Sequence, residues 1–93
     1  MIIISQDKTM ILNFEYIETI EIENPLENND GKFKILCDTT SDNQYTIAEY
    51  KTEERAKEVL QEIIKAYREY RTAECDGYTN ILQETAVFEM PEE

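Results

Sequence analysis

Histidine is absent from the 93 residues, and tryptophan with it. Without histidine the chain lacks the commonest general base, every Ser/His or Cys/His nucleophile pair, and every His-containing metal site. Glycine occurs twice, as the isolated Gly31 and Gly77, so no phosphate-cradling loop of the GxGxxG or P-loop kind can be built. Cys37 and Cys75 lie too far apart for a zinc spacing and are too few for a disulfide framework, which leaves two free thiols as the expectation. Long apolar runs are missing as well. The three isoleucines after Met1 are too short for a signal-peptide core and have no basic residues before them, and no later run approaches the ~20 residues that span a bilayer. These absences predict a non-enzymatic cytoplasmic protein with no cofactor and no membrane contact.

What is present is charge, sorted by segment. Residues 15–30 carry Glu15, Glu18, Glu21, Glu23, Glu27 and Asp30 with no Lys or Arg, and residues 72–93 carry Glu74, Asp76, Glu84, Glu89, Glu92 and Glu93, again with none. Residues 51–71 set six cations against five anions, so the two acidic blocks account for the net charge of −12. Such a field repels phosphate backbones and disfavours direct binding to nucleic acid or an anionic membrane; basic protein surfaces and cations are the partners it fits. A pair of carboxylates could run acid and base chemistry, but with 21 acidic residues no pair stands out. Neither Asn28 to Gly31 nor the polar run 38–43 has the alternating acids, sixth-position glycine and twelfth-position glutamate of a calcium loop, so both read as turns.

Ninety-three residues make one domain, 1–93, large enough for a single core. Segments 2–6 and 9–14 read as an opening hairpin. In 17–24, Ile20 and Ile22 alternate with Thr19, Glu21 and Glu23, the period of two of a half-buried strand with one acidic face. Phe33, Ile35 and Cys37 share a face of the next strand, and Gln44 to Tyr50 follows a polar turn. Thr52 is a good N-cap, Glu53 and Glu54 suit the first turn, and Ala56, Val59, Leu60, Ile63, Ile64, Tyr67 and Tyr70 recur at helical spacing. Cys75, Asp76 and Gly77 suggest a stop. Tyr78 to Glu84 reads equally as a helical turn or a loop, and Ala86 to Met90 as a last strand that pairs on a free sheet edge or on a neighbouring subunit. The expected fold is α+β: an antiparallel sheet of about five strands packed against one long helix, with a final short strand.

The opening Met-Ile-Ile-Ile-Ser-Gln-Asp-Lys, the block Glu-Tyr-Lys-Thr-Glu-Glu-Arg-Ala-Lys-Glu-Val-Leu-Gln-Glu-Ile (residues 49–63) and the closing Phe-Glu-Met-Pro-Glu-Glu resemble small uncharacterised proteins of phages and prophages in Gram-positive bacteria. The resemblance carries no assigned catalytic or binding residues. It implies a phage context inside a host cell, where small acidic proteins often block defence systems, some by imitating DNA. Strands followed by one long helix also resemble a pleckstrin-homology-like roll, as architecture only.

The leading expectation is an anti-CRISPR-like inhibitor whose acidic face binds a basic, nucleic-acid-binding surface of a host protein. Glu18, Glu21 and Glu23 carry it, with Glu15, Glu27 and Asp30 as the rim. Same-face carboxylates on a strand lie roughly 6.5–7 Å apart, near the phosphate spacing of one nucleic-acid strand. Two alternatives stand beside it. One is an oligomeric sponge that traps a nucleotide-type signal through Lys57, Lys65, Arg68 and Arg71. The other is a structural or assembly protein, in which the stripe of Val59, Leu60, Ile63, Tyr67 and Tyr70 is shared between core and self-association. A homodimer is compatible with each of the three.

Overall fold

In the computed structural model, which describes residues 1–27, 31–76 and 86–93 without the side chains of Glu27 and residues 73–76, the helix expected after Thr52 is α1 (Glu53–Asp76). Thr52 caps it: the Arg55 N–H donates to Thr52 Oγ1 at 3.1 Å, and the Ala56 N–H to the Thr52 carbonyl at 3.2 Å. Glu53 and Glu54 occupy the first turn, where the helix dipole favours them. The helix runs past Arg71 to Asp76 because no breaker precedes Gly77. Ala56, Val59 and Ile63 form its buried stripe.

Six strands accompany it: β1 (Ile2–Ile4), β2 (Ile11–Asn13), β3 (Ile17–Glu23), β4 (Phe33–Thr39), β5 (Gln44–Tyr50) and β6 (Val87–Glu89). The class is α+β as expected, but the single five-stranded antiparallel sheet is replaced by two three-stranded sheets, β2-β1-β6 and β3-β4-β5. The break comes at Asn13, whose Oδ1 accepts from the Glu15 N–H at 3.0 Å and starts a 3-10 turn over Phe14–Tyr16. That turn redirects the chain, so β2 and β3 share no ladder. The last strand does find a free edge, beside β1, and runs parallel to it with Ile3 opposite Phe88. Parallel pairing suits strands joined through a long helical crossover.

Alternation decides which side chains the second sheet buries. Ile20, Cys37 and Tyr45 stand in register on the inner face, as do Ile22, Ile35 and Ala48. With Met1, Ile3, Ile47, Tyr50, Met90 and the α1 stripe they enclose one core. The outer face carries Thr19, Glu21 and Glu23 beside Lys34, Leu36 and Asp38, and then Gln44, Thr46 and Glu49.

The two sheets are joined by Gln6. Its backbone N–H donates to the Ile47 carbonyl at 2.8 Å, its Oε1 accepts from the Glu49 N–H at 2.9 Å, and its Nε2 donates to the Glu49, Pro91 and Glu92 carbonyls at 3.0, 3.1 and 2.9 Å. One side-chain amide thus imitates a strand along β5 and pins residues 91–92 against it. Among the described residues no helix is long and apolar enough to cross a membrane.

Candidate protein-binding site

The acidic block divides once it is folded. Glu15 lies in the 3-10 turn, exposed. Glu18 is the extra residue of a β-bulge between Ile17 and Thr19, and it borders the groove between β3 and α1. Glu21 and Glu23 share the outer face of the second sheet, where alternation along β3 places them as expected. Glu27 ends a second 3-10 turn, Pro25–Glu27, and its side chain lies outside the described residues, as does all of Asp30. The structure therefore groups Glu21 and Glu23, sets Glu18 at the strand's other end and puts Glu15 beyond it.

These carboxylates have no counter-ion among the described residues. Five of the described cations are engaged elsewhere: Lys8 with Glu89 at 3.6 Å, Lys32 and Lys34 with Glu49 at 3.6 and 3.9 Å, Arg55 with Glu58 and Glu62 at 3.1 and 3.5 Å, and Lys57 with Glu53 at 2.8 Å. Glu15, Glu18, Glu21 and Glu23 enter none of these pairs. Glu23 stands opposite Lys34 in the ladder, yet that ammonium reaches Glu49. At the far end of the same face Asp38 is satisfied by neutral partners, accepting from Thr19 Oγ1 at 2.8 Å and from Gln44 Nε2 at 3.0 Å. Negative charge is left uncompensated along β3 and is balanced across the ladder at the β5 side.

Beside β3 the fold leaves a groove of about 420 Å³, walled by Phe14, Ile17 and Ile20 on one side and by Leu60, Ile64 and Tyr67 of α1 on the other. Phe14 stacks on Tyr67 with ring centroids 4.6 Å apart and closes one end. Ile64, on the open rim, is 43% exposed. The helix stripe proposed for self-association is otherwise spent within the chain: Val59 and Ile63 are buried, and Leu60, Tyr67 and Tyr70 pack on the core.

No protein-family model matches the chain, and no curated protein or solved structure matches it either.

Of the cations named for a nucleotide sponge, two are placed apart from each other. Lys57 is paired on the helix surface with Glu53, while Arg68 lines the apolar groove. A different cleft, of about 410 Å³ at the N-terminal end of α1, does gather Lys32, Lys51 and Arg55, but Glu49, Glu92 and Glu93 line it too. Arg55 is further committed there, its Nε donating to the Glu93 main-chain oxygen at 2.8 Å. Equal numbers of lining cations and anions leave little net field for an anion. This cleft and the Gln6 clasp were beyond sequence reasoning, since each assembles residues more than forty positions apart.

Proposed function

We propose that the protein is a non-enzymatic inhibitor that uses the carboxylates of β3 to occupy a basic, nucleic-acid-binding surface of another protein. The observation that carries the reading is that Glu15, Glu18, Glu21 and Glu23 enter no ion pair among the described residues, while Lys34, opposite Glu23 in the ladder, pairs with Glu49. Carboxylates left in water keep their full charge for a partner and steer a cationic surface toward them over the ~10 Å range of the field at 0.1 M salt. Following the resemblance to phage proteins, the target is a component of a host defence system, a CRISPR effector in the specific proposal, and the site of action is the host cytoplasm.

A homodimer belongs to the same proposal. Its contact is the outer face of the first sheet, where Ile2, Ile4, Ile11 and Val87 share a side with Glu89, whose charge Lys8 balances.

The test is a low-salt pull-down from bacterial lysate with wild-type bait and with the double variant Glu21→Lys, Glu23→Lys, each repeated with added duplex DNA. Expected is a nucleic-acid-binding protein held by the wild type, displaced by DNA and by 0.5 M salt, and absent with the variant. Retention by the variant, or indifference to DNA, overturns the reading.

A further inference from the structure

The two edges of the second sheet differ. Along β5 the Gln6 amide and backbone fill the ladder positions of Ile47 and Glu49. Along β3 nothing does: among the described residues, 18–23 make no backbone hydrogen bond outside the ladder with β4. Within 18–23 the backbone groups that do not bond β4 thus retain donors and acceptors that face away from the sheet, whereas the Ile17 N–H is taken by the Phe14 carbonyl.

Edge strands of this kind invite another strand, and natural proteins commonly defend them with charge. Glu18, Glu21 and Glu23 make that defence selective. A second copy of β3 would bring like charges onto the same small face, whereas an incoming strand carrying Lys or Arg would meet counter-ions at cross-strand distance. The pattern of such a strand follows from alternation. Its side chains would fall in turn on the outer face, beside Glu21 and Glu23, and on the inner side, where Ile20, Leu60 and Ile64 border the groove.

We infer that the β3 edge accepts an extended segment of a protein partner in which basic and apolar residues alternate, added as a fourth strand with its basic side chains on Glu21 and Glu23 and an apolar one in the β3–α1 groove. Backbone pairing supplies affinity in this mode and the alternate side chains supply selectivity. The inference rests on the acidic-edge reading above and adds the geometry of contact.

The probe is the peptide Ac-KVKVKVK-NH2, compared with the same peptide N-methylated at alternate residues so that one edge cannot pair. Expected is salt-sensitive binding of the first, at least tenfold slower amide exchange at those of residues 18–22 that face outward, and at least tenfold weaker binding of the second. Ile64→Ser is expected to weaken the first several-fold while leaving the fold intact, because that residue stands on an open rim. Equal binding of both peptides, absent protection of β3, or no binding of either at low salt overturns strand addition. Unchanged binding by the Glu21→Lys, Glu23→Lys variant instead overturns the acidic-edge reading while protection at β3 would still stand, so the two failures are separable.

Discussion

The Tyr50 hydroxyl donates to the Pro91 carbonyl at 2.6 Å from a side chain that is 3% exposed. Burial pushes its pKa up to about 12; nearby Arg55 opposes the rise and Glu62 adds to it. An unfolded tyrosine ionises near 10. Between those values the unfolded chain has released a proton that the folded chain still holds, so the stabilisation is intact below pH 10 and is lost as pH climbs toward 12. Two pH units correspond to something on the order of 2 kcal/mol. Urea unfolding at pH 9 and pH 11.5 is expected to show a loss of that order in the wild type beyond the loss in Tyr50→Phe, in which the lysines titrate alike. Equal losses in the two proteins would exclude a buried phenol. Cys37 follows the same physics: burial first, then the neighbouring Asp38 carboxylate, raises its thiol pKa against a backbone hydrogen bond at Tyr45 that lowers it.

At the scale of elements, what sequence reveals is what depends on near neighbours. Helix α1 was legible because capping by Thr52, acids in the first turn and an apolar stripe are all local signals. The inward Ile20 and Ile22 and the outward Glu21 and Glu23 were legible because a strand's period of two assigns faces without reference to a partner. The division into two sheets was not, since it depends on a single turn at Asn13 that reads as continuation in a one-dimensional pattern. Nor was the pairing of β6 with β1, which joins segments some 85 positions apart, as the register of Ile2 with Val87 shows. The span Tyr78 to Glu84, open between turn and loop in the sequence, lies outside the described residues. The Gln6 clasp had no signal at all, because a lone glutamine after an isoleucine run is ordinary. Its weight shows on substitution. Gln6→Glu would aim carboxylate oxygens at the Glu49, Pro91 and Glu92 carbonyls and remove the donor those carbonyls share. With a net hydrogen bond contributing about 1 kcal/mol and unpaired groups costing more, a loss of about 2–4 kcal/mol is expected. Thermal unfolding checks the size, and faster amide exchange at Glu49 checks the place. A variant as stable as the wild type would show that residues 91–92 are held by other means.

For the whole molecule, charge sets opposite rules for the two associations proposed. A chain of net charge −12 repels its own copy, and the repulsion weakens as salt shortens the screening length from ~10 Å at 0.1 M to ~3 Å at 1 M. Self-association through the neutral, apolar face of the first sheet should therefore strengthen with salt, while capture of a basic partner at β3 should weaken. Ile11, 69% exposed at the start of the edge strand β2, separates contact from core: Ile11→Glu adds a charge where two copies meet and removes almost nothing from the chain's own packing. Sedimentation equilibrium at 0.05 and 0.5 M NaCl is expected to give a larger dimer fraction at the higher salt for the wild type and monomer throughout for Ile11→Glu, with both unfolding at the same temperature within a few degrees. A wild-type chain that is monomeric at both salts would remove the dimer and leave the β3 edge untouched, because the two surfaces belong to different sheets and share no residue.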